Sequence, residues 1–137
     1  MAIKLLIADD HAVVRDALVD LFVETDDIDV VAQCADGSEV VAAVVRSRPD
    51  VVLMDIQMPR MTGLEAAREL LSADPQTRIV MLTANLSTAY VAAARELGVA
   101  GYLLKGDAPG DLPDQVRAVA AGGEAWSPEA AALGSWN

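Results

Sequence analysis

The stretch Val51-Val52-Leu53-Met54-Asp55-Ile56-Gln57-Met58-Pro59 decides how this chain reads. Val51 to Met54 form an apolar run of strand length, continuous rather than alternating, as in a strand covered on both faces. The run then stops on a carboxylate. The next helix signal is Thr62-Gly63-Leu64-Glu65, a Thr-x-x-Glu capping box. Several residues separate Asp55 from that start, so helix capping explains this acid poorly.

The same grammar repeats outward. Ile3 to Ala8 is a first apolar strand, closed by Asp9-Asp10, and Val13, Val14, Ala17, Leu18, Leu21 and Phe22 follow at helical spacing. Val30-Val31-Ala32 reads as a second strand, and Asp36-Gly37-Ser38 opens a helix that Pro49 stops. The capping box predicts a third helix to about Ser72, and Pro75 breaks the chain before a fourth strand, Ile79 to Leu82. Ser87 to Leu97 is helical with Gly98 as its cap, and Gly101 to Leu104 is a fifth strand. Leu112, Val116 and Val119 carry a last long helix to Gly122-Gly123, and Ser127-Pro128-Glu129 has the form of one more helical start. Continuously apolar strands alternating with helices point to a doubly wound α/β sandwich on a five-stranded parallel sheet.

Composition agrees with a packed domain and removes other classes. The chain has 137 residues, 53% of them hydrophobic, with 25 alanines and 17 valines but five aromatics, so small aliphatics fill the core. Disordered, collagen-like and disulfide-stapled chains are excluded. Cys34 is the single cysteine, which leaves no internal disulfide and no CxxC site. The apolar run at Ile3 is too short for a signal peptide, and no run approaches a membrane helix, so a soluble cytoplasmic chain is expected. The net charge of -11, with Lys4 and Lys105 the only lysines, argues against direct nucleic-acid binding, and without a long apolar run no membrane association is expected.

In such a sheet, ligands sit beyond the carboxyl ends of the strands. The residues there are Asp9, Asp10, Asp55, Thr83 and Lys105. Either member of Asp9-Asp10, taken alone, also reads as a helix cap. Three carboxylates on one edge raise one pKa or call for a cation, and Mg²⁺ suits few carboxylates and several waters. Asp55 is then a candidate nucleophile, Lys105 a second positive clamp, and Thr83 a donor to a phosphoryl oxygen. His11 reads as a surface residue at a helix start, Cys34, Met54 and Met81 as core, and Arg60, Arg68 and Arg95 as solvated faces. Trp126 reads as an anchor folding back, and Trp136 as a terminal residue without a fixed place.

Asp9-Asp10, Leu53 to Pro59 with Gly63, Thr83-Ala84, and Tyr102 three residues before Lys105 resemble the receiver domain of two-component response regulators. Ala8-Asp9-Asp10-His11, Gly98 to Lys105 and Gly123 to Pro128 are similar to the NarL/FixJ, LuxR-type subfamily. The resemblance implies a flavodoxin/CheY-like (βα)5 fold with strand order 2-1-3-4-5, a receiver over residues 1–122, and a tail or linker over 123–137. It implies that Asp55 accepts a phosphoryl group from a sensor histidine kinase, with Asp9, Asp10, Asp55 and the Gln57 carbonyl serving Mg²⁺. It further implies that Thr83, Lys105 and Tyr102 bind or sense the phosphoryl group, that Gln57 and Asn85 tune hydrolysis, and that phosphorylation can promote a homodimer. Such a domain is a regulatory phosphoacceptor that catalyses only its own phosphoryl transfer and dephosphorylation. Its output would be a LuxR-type DNA-binding domain not present here. A stand-alone receiver in a phosphorelay and an Asp-nucleophile, Mg²⁺-dependent phosphatase are the alternatives. One departure stands out: many receivers have Lys-Pro with a cis bond after the fifth strand, whereas here Lys105-Gly106 is either trans or held cis at about 3 kcal/mol.

Overall fold

A computed structural model describes residues 2–134. The strands are β1 (Ile3–Ala8), β2 (Ile28–Cys34), β3 (Val51–Met54), β4 (Ile79–Thr83), β5 (Gly101–Leu104) and β6 (Ala125–Trp126). Between and after them lie α1 (Ala12–Val23), α2 (Gly37–Ser47), α3 (Gly63–Ala73), α4 (Thr88–Leu97), α5 (Leu112–Ala120) and α6 (Pro128–Gly134). All strand pairs are parallel, in the order β2-β1-β3-β4-β5-β6.

The continuous apolar runs resolve into two alternating sets, because successive side chains leave a strand on opposite faces. Leu5, Ile7, Val51, Leu53, Val80, Leu82 and Leu103 pack beneath α1 and α5 with Leu18, Phe22, Val116 and Val119. Leu6, Ala8, Val52, Met54, Ile79, Met81 and Tyr102 pack with Val40, Ala66, Leu70, Val91 and Ala130 of α2, α3, α4 and α6. Edge strand β2 alternates instead, with Asp29, Val31 and Gln33 exposed. Its register against β1 slips by one residue between Leu5 and Leu6. Arg117 on α5 holds both carboxylate oxygens of Asp27, each at 2.8 Å, and so ties α5 to the α1–β2 turn.

The expected order 2-1-3-4-5 is present, but the sheet has a sixth strand. Ala125-Trp126 has no periodicity to read in sequence, since two residues define none. Its place is set by Gly101: a Cβ there would lie 2.1 Å from the Ala125 carbonyl oxygen, so only glycine lets β6 approach β5. Ser127 then starts α6, its Oγ accepting from Ala130 N–H at 3.2 Å. Trp126 is an anchor as expected, half-buried against the core. Arg95, expected to face solvent alone, stacks its guanidinium over the Trp126 ring, 4.1 Å from the centroid. Trp136 lies outside the described residues.

Candidate phosphoacceptor site

The strand ends converge as parallel pairing requires. Asp55 N–H donates to the Ala8 carbonyl at 2.9 Å, and Asp9 N–H to the Cys34 carbonyl at 2.9 Å, which sets the acids after β1 and β3 side by side. The loop after Asp55 is folded back tightly. Gly63 N–H donates to the Ile56 carbonyl at 2.7 Å, and a Cβ on Gly63 would sit 2.0 Å from the Asp55 carbonyl oxygen. The capping box of α3 is closed in both directions: Thr62 Oγ1 accepts from Glu65 N–H, and Glu65 Oε1 accepts from Thr62 N–H. A helix start clamped in this way fixes where the loop ends, while the close approach to Asp55 itself is made by Gly63.

Lys105 Nζ lies 2.7 Å from Asp9 Oδ2 and 2.8 Å from Asp55 Oδ2. Both carboxylates are buried, Asp9 at 1% and Asp55 at 4% exposure, so each needs a partner. The lysine ammonium pairs these two buried carboxylates. Burial works to lower the Lys105 pKa, but hydrogen bonds and charge from Asp55 and Asp9 outweigh it and hold the ammonium above its ordinary value. The described residues contain no cis peptide, so the Lys105–Gly106 bond is trans. Lys105 N–H donates to the Thr83 carbonyl at 2.9 Å, which anchors the backbone at this point without a proline.

Asp10 is the exposed acid of the cluster, its side chain 31% exposed and its Oδ1 3.1 Å from His11 Nδ1. Neither Asp9 nor Asp10 caps α1. The N-cap is His11, which makes no side-chain cap bond, while Asp9 Oδ1 accepts from His11 N–H at 2.9 Å. One ligand atom from each of Asp9, Asp10, His11 and Asp55 lies within 4.8 Å of the others. His11 is at the surface, as expected, but its ring belongs to this cluster, and its position directly after the acidic pair was the only signal in sequence.

Thr83 is buried at the end of β4, with its Oγ1 accepting from Asn85 N–H at 3.2 Å. Gln57 and Asn85 are exposed on the two loops flanking Asp55, and Gln57 N–H reaches Asp55 Oδ1 at 3.3 Å. Tyr102 is fully buried and points its phenol into the β4–α4 loop, donating to the Asn85 carbonyl at 2.6 Å. Burial first, and the charges of Tyr90 and Asp55 after it, push this phenol above its ordinary pKa. It therefore stays a donor.

The response regulator receiver domain model matches residues 5–117. The chain belongs to the response regulator receiver domain family. The receiver is 40% identical over 120 residues to the transcriptional regulatory protein YxjL of Bacillus subtilis, covering 88% of this chain and 55% of that protein. It is 36% identical over 129 residues to the response regulator protein VraR of Staphylococcus epidermidis, covering 94% of this chain and 62% of that one. It spans, then, a little over half the length of these relatives. Its fold matches a LuxR-family two-component response regulator from Aurantimonas sp. SI85-9A1 with a TM-score of 0.91 at 32% identity, covering 97% of this chain and 95% of that one. Domains of this family are regulatory modules that partner with histidine kinases, and they generally use Mg²⁺. No helix among the described residues of this receiver is long and apolar enough to cross a membrane.

Proposed function

We propose that this receiver is a phosphorylation-controlled switch whose acceptor is Asp55. The observation that carries the reading is the shared ammonium: Lys105 holds one oxygen of Asp55 and one of Asp9, so the acceptor is buried yet paired and oriented. In the transfer, an Asp55 carboxylate oxygen forms a bond to phosphorus. The bond from phosphorus to the donor breaks, and its electron pair leaves with the donor, the imidazole of a kinase phosphohistidine or the acetate of acetyl phosphate. The exposed Asp10 and the buried Asp9 and Asp55 supply only hard oxygen donors, which fits Mg²⁺, with the Gln57 carbonyl as a further ligand. When bound, the ion neutralises charge on the transferring phosphoryl group. Lys105 is placed to follow the new phosphoryl oxygens, and the Thr83 hydroxyl to donate to one of them. Gln57 and Asn85, exposed on the flanking loops, stand where they can govern the access of hydrolytic water.

In this reading residues 1–122 carry the phosphoacceptor chemistry and 123–137 lead toward a LuxR-type output domain. The partner is a cytoplasmic sensor histidine kinase, with homodimerisation as one response. The test is direct. With Mg²⁺ and acetyl phosphate, intact-mass analysis should show gain of a single alkali-labile phosphoryl group, lost in Asp55→Asn. Equal modification of that variant rejects Asp55 as acceptor.

A further inference from the structure

The three acids at the site offer oxygen alone, but one nitrogen stands among them. We propose that His11 Nδ1 is a further ligand to the divalent cation held by Asp9, Asp10 and Asp55. With it, the site also takes softer ions of the Co²⁺, Ni²⁺ and Zn²⁺ class. The proposal rests on the reading of these acids as a cation site and does not depend on which of them takes the phosphoryl group.

His11 Nδ1 lies 3.1 Å from Asp10 Oδ1 and 3.5 Å from Asp9 Oδ1. One ligand atom from each of Asp9, Asp10, His11 and Asp55 falls within 4.8 Å of the others, about twice a metal–ligand bond. A single ion placed between them reaches all four. Lys105 does not compete for the same atoms, because its ammonium takes Oδ2 of Asp9 and Oδ2 of Asp55. The other oxygens face the loops after β1 and β3: Asp9 Oδ1 accepts from His11 N–H at 2.9 Å, and Asp55 Oδ1 from Gln57 N–H at 3.3 Å.

The backbone holds the imidazole in place. His11 is the extended N-cap of α1, and its side chain makes no cap bond. Its N–H is engaged by Asp9, and its carbonyl accepts from Arg15 N–H at 2.9 Å. Arg15 Nη1 closes the turn on the Asp9 carbonyl at 2.6 Å. With both backbone groups tied, only the two side-chain torsions remain free, so ligation costs little further ordering. The side chain is 69% exposed, which lets Nε2 keep its proton toward solvent while Nδ1 turns to the acids.

Carboxylate and carbonyl oxygens suit Mg²⁺, whereas an imidazole nitrogen favours ions such as Ni²⁺ and Zn²⁺. A nitrogen beside these oxygens therefore strengthens the hold on the softer ions and barely alters that on Mg²⁺. His11 is the single histidine of the chain, so an imidazole nitrogen found on a bound ion can come from no other residue.

The test uses the untagged full chain, with Mn²⁺ as a paramagnetic probe. Electron spin-echo spectra of the Mn²⁺-loaded protein should show nitrogen modulation from a bound imidazole, and His11→Gln should bind Mn²⁺ without it. Displacement of Mn²⁺ gives the other affinities. Ni²⁺ should bind about tenfold more weakly to His11→Gln than to the parent, with Mg²⁺ changed less than about twofold. Asp10→Ala should lose Mn²⁺, which ties the signal to this cluster. Bound Mn²⁺ without nitrogen modulation in the parent, or modulation that survives His11→Gln, overturns His11 as a ligand and leaves the acceptor reading standing. Equal Ni²⁺ affinity in parent and variant overturns the selectivity. Mn²⁺ retained by Asp10→Ala puts the ion elsewhere and overturns the proposal. No binding of Mn²⁺ at all overturns the cation reading itself, and the role of His11 falls with it.

Discussion

Lys105 is the cation among three carboxylates, which makes Asp10 the acid whose removal is informative. Asp9 and Asp55 are each bonded to Lys105, whereas Asp10 is exposed and lies against His11. Asp10→Ala should therefore fold normally and melt no lower than the parent in EDTA, while Mg²⁺-dependent phosphorylation by acetyl phosphate falls at least 100-fold, an order-of-magnitude expectation for loss of a metal ligand. Undiminished phosphorylation would remove Asp10 from the ligand set. Cys34 supports a second prediction. Burial, and secondarily the charge of Glu39, push its thiol up to about 11. Between the ordinary thiol value and that one, the unfolded chain has given up its proton and the folded chain has kept it. Stability thus falls as pH rises through this window, by about 1.4 kcal/mol per unit. Lys105, also raised, loses its contribution as pH climbs above its ordinary value, but it does so in any Cys34 variant and cancels. Urea midpoints should show Cys34→Ala gaining on the parent from pH 9 to 11, roughly the span of the shift. A constant gap across that range would contradict the buried thiol.

At the level of the element, the β3–α3 connection separates two kinds of local cost. Thr62→Ala opens the capping box and should cost about 1 kcal/mol, with phosphorylation nearly unchanged, because the exposed cap does not touch Asp55. Gly63→Ala adds a single methyl on the next residue, but that methyl meets the Asp55 carbonyl at 2.0 Å, and backbone must give way. It should cost about 1–3 kcal/mol and also slow phosphorylation, since the residue that moves is the proposed acceptor. Denaturant unfolding and acetyl phosphate kinetics on both variants check the contrast. Equal phosphorylation rates in the two would show that the loop adjusts without disturbing Asp55.

Taken as a whole, the molecule carries a net charge of -11, and phosphorylation makes it more negative. Three of its ten basic residues are already paired with acids of the same chain, Lys105 at the buried site, and Arg117 on Asp27 and Arg60 on Asp36 nearer the surface. Non-specific DNA affinity arises from clustered cations that displace counterions. Residues 1–137 alone should show no retardation of duplex DNA at low salt, with or without beryllofluoride. Salt-sensitive binding in an anisotropy titration would refute this.

Much of the fold is legible because its signals are local. Four buried strands announce themselves as short apolar runs such as Val51 to Met54, and caps such as Thr62 with Glu65 and Gly98 mark helix ends within a few residues. The acids after β1 and β3 are legible as a group for the same reason, since parallel pairing sends every strand's carboxyl end to one edge. What local pattern does not carry is decided by approach between distant segments. β6 exists because Gly101 leaves room for a carbonyl 24 residues later in the chain. Arg95 finds Trp126, Tyr102 finds Asn85, and Lys105 spans Asp9 and Asp55 only after the sheet has closed. Periodicity records which face a residue buries; which partner it meets depends on tertiary packing, because contact energies act over ångströms in space and not along the sequence.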